Sequence, residues 1–254
     1  MTARLTTALP VVELVAPLEP AGTGAEAFLG LASDNQLYWI KAPDNPQGSR
    51  SLIAEVVAYG LGRVLGAPVP SNALVKIPDN LGWRFKDGRT MKAGTGHASL
   101  DVPYAVVSDD WATYSDMDDN RHRQAFIFAT WDLCMGGDPH WIHQVSADHS
   151  IWTIDHGFWL ATETDWDLKS LRQIGVRPWQ YDLDPSVASA TALEQAAESV
   201  EGLSLDAIRS ITDDVPLDWG TSRAELEELA SLLFVRAEGV AERLRRAARQ
   251  SQHP

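Results

Sequence analysis

Cysteine is almost missing from this chain: Cys134 is the only one in 254 residues. An intrachain disulfide is excluded, and a reducing cytoplasm is the expected setting. Cys134 itself lies in an apolar helical context and reads as a buried small hydrophobe. Basic charge is scarce too, with 21 Lys and Arg against 35 Asp and Glu, a net charge of −14. The one basic cluster is Arg243, Arg245, Arg246 and Arg249. A nucleic-acid backbone is therefore not an expected partner. A polyphosphate ligand remains open, because a metal ion and a few cations can screen it locally. Long apolar runs are absent as well. The first segment holds one short run broken by Pro10, Glu13 and Pro17, so neither a signal peptide nor a membrane span is expected.

The remaining composition is that of an ordinary globular protein, 44% hydrophobic, with enough chain for one large core or two modest ones. Strands are expected at Val11–Leu18, Phe28–Leu31, Gln36–Lys41 and Ser71–Ile77. A helix is expected over Ser51–Leu65, stopped by Gly66 and Pro68. Residues 79–96 read as loop, with a short strand at Trp83–Phe85. Asn120–Met135 reads as a buried helix, and Val145 and Ile151–Ile154 bracket a hairpin turn. Helices are then expected at Thr191–Ser199, Leu205–Ile211 and Ser222–Arg249, the last opened by a capping box of Ser222 with Glu225. Strands and one helix come first, then mostly helices. This is an α+β pattern, expected to divide into residues 1–105 and 106–254.

The chemistry concentrates in the stretch from Trp131 to Gly157, WDLCMGGDPHWIHQVSADHSIWTIDHG. Asp138 sits in a turn-forming Gly-Gly-Asp-Pro run. Asp155 follows the apolar run Ile151–Ile154 and precedes His156-Gly157. One isolated carboxylate on a loop and one at a strand end suit phosphoryl transfer, the first orienting a hydroxyl and the second holding Mg²⁺ against phosphate oxygens. Upstream, Lys41 ends the strand Tyr38-Trp39-Ile40, and Glu55 on the next helix can pair with it. The small-residue turn Ala21-Gly22-Thr23-Gly24-Ala25 can bring backbone N–H groups close to a phosphate. Asp138, His140, His143, Asp155 and His156 also leave open a hydrolytic metal site of His and Asp ligands, although their spacing fits no strong ligand pattern.

Three segments resemble the HipA-like kinases, in particular their short bacterial branch: YWIKAPDNPQGSRSLIAEVVAYGLGRVLGAPVPSNALV (Tyr38–Val75), GTGHAS (Gly94–Ser99), and RQAFIFATWDLCMGGDPHWIHQV with IDHGF (within Arg123–Phe158). The resemblance implies a two-lobed protein-kinase-like fold, with an N-terminal antiparallel sheet carrying one helix and a mostly helical C-terminal lobe. It implies ATP and Mg²⁺ or Mn²⁺ as ligands and a Ser/Thr hydroxyl of a protein as acceptor. Lys41, supported by Glu55, would meet the nucleotide phosphates beside Gly22, Thr23 and Gly24. Asp138 would be the catalytic-loop aspartate and Asp155 the metal ligand. Five residues after the catalytic Asp, where the family has a metal-binding Asn, this chain has His143, which is expected to join Asp155 at the metal. That departure implies an altered metal preference or a weakened transferase. A degenerate kinase acting as a nucleotide-binding or protein-interaction module is the alternative.

Overall fold

A computed structural model describes residues 8–22, 24–108, 110–161, 165–179 and 182–251. Five strands close into a barrel in the order β1-β2-β3-β5-β4: β1 (Val11–Pro20), β2 (Phe28–Ala32), β3 (Leu37–Lys41), β4 (Asn72–Ile77) and β5 (Gly94–Leu100). Alternation of apolar and polar residues turns Phe28, Ile40, Val75 and Ala98 inward. The expected antiparallel sheet is corrected in one respect. β1 runs parallel to β4, Val11 opposite Leu74, and this pairing closes the barrel. Closure removes the open edges that a flat sheet would expose.

β5 begins inside residues 79–96, expected as loop with a short strand at Trp83–Phe85, and runs on to Leu100, where no element was expected. Gly94-Thr95-Gly96-His97 has weak strand propensity. Its pairing with both β3 and β4 sets its conformation instead. Trp83–Phe85 does not form a strand; one isolated bridge joins Arg84 to Thr90.

Helix α1 (Ser49–Leu65) crosses behind the barrel. It ends at Gly66, whose φ of 98° suits glycine, and the Gly66 N–H returns to the Gly62 carbonyl. Nearly every residue from Ser51 to Leu61 is buried, because α1 is wedged between the barrel and a second, larger core. That second core is built by α2 (Asn120–Leu133), α3 (Leu168–Ile174), α4 (Ala190–Glu201), α5 (Leu205–Asp213) and α6 (Arg223–Ser251). Trp131, Trp159, Trp166 and Trp219 are fully buried. Two of them also stitch the halves together: Trp219 Nε1 donates to the Thr95 carbonyl at 2.8 Å, and Trp166 Nε1 to the Arg50 carbonyl at 3.0 Å.

A small antiparallel sheet, β6-β7-β8, floors the second half: β6 (Ala105–Val107), β7 (His140–Gln144) and β8 (Ser150–Ile154). The hairpin was expected here, but β7 starts at His140, upstream of the expected Val145, which instead lies in a single helical turn.

Candidate active site

The site lies between the barrel and the β6-β7-β8 sheet. Lys41, the last residue of β3, is 6% exposed. An ammonium buried there needs counter-charges, and two are present. Lys41 Nζ donates to Glu55 Oε1 and to Asp155 Oδ1, each at 2.5 Å. Burial alone would lower the Lys41 pKa, but these carboxylates outweigh it and hold it well above the usual lysine value. Burial likewise opposes the Glu55 charge, and Lys41 reverses that, keeping Glu55 well below the usual carboxylate range. The second Glu55 oxygen faces His156 Nδ1 at 3.4 Å. His156 is itself buried, 3.2 Å from the Thr153 hydroxyl through Nε2 and edge-on to Trp159. It packs in the core behind the ion pair.

Asp155 stands at the end of β8 in the left-handed region, φ 57°, which swings its carboxylate out of the strand toward Lys41. Gly157 follows. A Cβ there would lie 3.0 Å from Lys41 Nζ, so a side chain at this turn would press on the ammonium and shift it by a few tenths of an ångström.

These groups sit at one end of a cleft of about 490 Å³. Its other walls are mostly apolar, including Trp39, Leu100, Val107, Ile142 and Ile154. Size and lining suit a planar organic group with a charged end. Trp39 Nε1 is held by Asp101 at 2.9 Å, which fixes the indole against the wall. His97, opposite Lys41 across the β3–β5 ladder, also borders the cleft. It is buried, its Nε2 lies 2.5 Å from Asn72 Nδ2, and burial, aided by Lys41, pushes its pKa down to about 4. The sequence offered no signal for this role beyond its place in the Gly94–Ser99 segment.

The remaining candidates are less converged. Asp138 is in the left-handed region, φ 48°, with a side chain 62% exposed and 3.9 Å from His140 Nδ1. The cleft roof is formed by Ala21 and Ala27. Gly22 lines a separate hollow with Trp83 and Lys86. Gly24 lies against Gln47, and Thr23 is outside the described residues.

His143 is not brought to Asp155. A single residue, Pro139, separates Asp138 from β7, so the position five after the aspartate falls inside a paired strand. Side chains alternate along a strand. Ile142 faces the cleft, and His143 faces the opposite way, fully buried against Tyr114 at a ring distance of 4.9 Å. Burial and the neighbouring His149 lower its pKa. His149 is half-buried and stacked on Tyr114 at 4.2 Å. Cys134 is fully buried, as its context implied, and burial pushes its thiol far up.

A divalent cation fits this arrangement only in part. Among the described residues no three His, Cys, Asp or Glu side chains gather as a ready cage. Asp155 offers one hard oxygen ligand at the cleft end, which matches the way Mg²⁺ is usually held, by one or two carboxylates plus substrate phosphates and water.

A buried Lys–Glu pair at a barrel strand, an aspartate at a strand end and a cleft between two halves are features of kinase folds. The crystal structure of the Helicobacter pylori proinflammatory kinase CtkA aligns with 95% of this chain and 98% of its own, at a TM-score of 0.57 and 14% identity. Golgi casein kinase aligns less closely, at a TM-score of 0.48 and 12% identity over 94% of this chain and 74% of its own. Its Mn/ADP-bound structure gives 0.40 and 14% over 91% and 73%. No curated protein matches the chain. The profile of the HipA-like kinases matches residues 11–251, and the chain belongs to that family.

Proposed function

We propose that this chain transfers the γ-phosphoryl group of ATP to a hydroxyl acceptor, a serine or threonine of a protein. The observation that carries the reading is Lys41, buried at the end of a nucleotide-sized cleft and held between Glu55 and Asp155. Lys41 is poised to exchange Asp155 for the α- and β-phosphate oxygens while Glu55 keeps its ammonium in place. The apolar walls around Trp39, Leu100 and Ile142 suit the base. Asp155 would hold the divalent cation, which when bound neutralises charge on the phosphate oxygens. His143 has no part in this reading, so the metal role rests on Asp155.

Asp138 would accept a hydrogen bond from the attacking hydroxyl. That oxygen bonds to the γ-phosphorus, the bond to the ADP oxygen breaks, and the hydroxyl proton passes to the carboxylate. Most of the acceleration comes from alignment and charge stabilisation. A second reading, a nucleotide-binding or protein-interaction module without transfer, has a specific observation in its favour: the Asp138 side chain is exposed, with only Pro139 between it and β7. Incorporation of labelled γ-phosphate into a mixed-protein substrate decides between them. The kinase reading expects transfer that falls at least ~100-fold in Asp138→Ala while nucleotide binding persists. Nucleotide binding with no transfer by the wild-type protein would move the assignment to the module.

A further inference from the structure

A second cavity, of about 220 Å³, lies where α2 and α6 meet and shares no lining residue with the cleft that holds Lys41. Phe128, Trp131 and Trp179 give it aromatic walls, and Arg243 and Arg246 border it from α6. Two of these side chains are pinned. Trp179 Nε1 donates to the Gly136 carbonyl at 2.5 Å, and Arg243 Nη1 to the Val176 carbonyl at 2.9 Å. A cavity of ~150 Å³ already accepts benzene. This one has room for an aromatic ring and a charged group attached to it.

Charge says which group. The chain carries a net −14, yet the sign reverses here. Asp132 is the only carboxylate among the described lining residues, and it accepts from Arg236 Nη2 at 2.6 Å and from Arg243 Nε at 2.6 Å. Arg246 adds a third guanidinium. Its neighbour Arg245 pairs with Glu201 and Glu194, but among the described residues Arg246 makes no hydrogen bond or ion pair. Three cations against one anion leave an excess of two positive charges beside the cavity. Arg243 also keeps two of its five N–H groups unspent. A guanidinium fork matches phosphate oxygens, and a phosphate monoester at neutral pH carries nearly two negative charges.

We propose that this cavity binds an aryl phosphate, its ring against Trp179 and Phe128 and its phosphate on Arg246 and Arg243. The chemistry is that of a phosphotyrosine side chain or of a free phenolic phosphate ester. The site is separate from the Lys41 cleft and does not depend on phosphoryl transfer there. Its wall nevertheless reaches the catalytic loop, because Gly136, which holds Trp179, stands two residues before Asp138.

The test is isothermal titration of the full chain with phenyl phosphate at neutral pH. Inorganic phosphate and benzyl alcohol are the controls, carrying the charge and the ring separately. Each titration is repeated with ADP and Mn²⁺ present to occupy the Lys41 cleft. Wild type is expected to bind phenyl phosphate at least ~10-fold more tightly than either control, with no displacement by ADP. Arg246→Ala should lower that affinity about tenfold or more, the effect of losing a charge-assisted pair. Its ligand-free melting temperature should stay at the wild-type value, since Arg246 is exposed and has no partner among the described residues. A blocked tripeptide centred on phosphotyrosine separates the two sources. Tighter binding than phenyl phosphate assigns a protein side chain and weaker binding a free ester, and both uphold the site. Unchanged affinity in Arg246→Ala, equal binding of inorganic phosphate, or displacement by ADP with Mn²⁺ would each overturn it. So would wild-type protein that does not bind phenyl phosphate.

Discussion

His97 shows how one buried side chain ties the site to stability. Its imidazole is 2% exposed and its pKa is pushed down to about 4, whereas an unfolded histidine titrates near 6.5. Between these values the unfolded chain binds a proton that the folded chain refuses. Stability therefore falls as pH drops from about 6.5 to about 4, by up to ~3 kcal/mol from this residue alone. Urea unfolding across that range should show the slope, and His97→Gln should flatten it. An equal slope in the variant would mean that another group titrates. Glu55 acts in a lower window. Its pKa is depressed in the fold, so the stability it contributes is complete above the unfolded value near 4.3 and is lost as pH falls through the lower folded one. Lys41 and Glu55 were legible in the sequence because a charged residue ending an apolar strand demands a partner. His97 was not, since its partner Asn72 and its burial come from strand pairing that no local pattern encodes.

Among the elements, the contact between α2 and α6 bears the most concentrated charge. Asp132 near the end of α2 receives Arg236 Nη2 at 2.6 Å and Arg243 Nε at 2.6 Å, both from α6. Arg236 is 1% exposed and also donates to the carbonyls of Asp132, Gly175 and Arg177. Removing the carboxylate would strand a buried guanidinium. Asp132→Ala is expected to lose about 3–5 kcal/mol, read as a lower urea midpoint. A loss below 1 kcal/mol would show that the carbonyls suffice. Of the basic cluster near the chain end, Arg243 joins this internal clamp, while Arg245 pairs with Glu201 and Glu194 at the surface. The capping box was legible only in part. Ser222 Oγ accepts the Glu225 N–H at 3.2 Å, but the Glu225 carboxylate turns to Thr221 and to Arg50 at the start of α1. Spacing predicts a local partner, and the fold supplied a distant one. His143 was expected beside Asp155, and strand pairing turns it toward Tyr114 instead. Counting five residues from Asp138 does not say where a strand begins, and here β7 begins after one residue, Pro139.

For the molecule as a whole, the decisive question is whether its two halves close on a nucleotide. The barrel and the helical half keep separate cores, and α1 carries Glu55 between them. Lys41 comes from the barrel and Asp155 from the β7–β8 hairpin, so their ion pair spans the cleft. Without ligand that pair holds the cleft end together; phosphates would take its place. A ligand bound only by the folded state at a hundredfold over its dissociation constant adds about 2.7 kcal/mol. In a chain of this size that raises the melting temperature by several degrees. Lys41→Met should abolish the shift with ATP and Mg²⁺. It should also lower the ligand-free melting temperature, because Glu55 is left buried without its main counter-charge. The two effects separate through Asp155→Asn. That variant keeps the Lys41–Glu55 pair and should melt near wild type, yet it should lose the metal-dependent part of the shift. An Asp155→Asn protein that still gains the full shift with metal would remove Asp155 from the metal site, and with it the phosphoryl-transfer geometry drawn across the cleft.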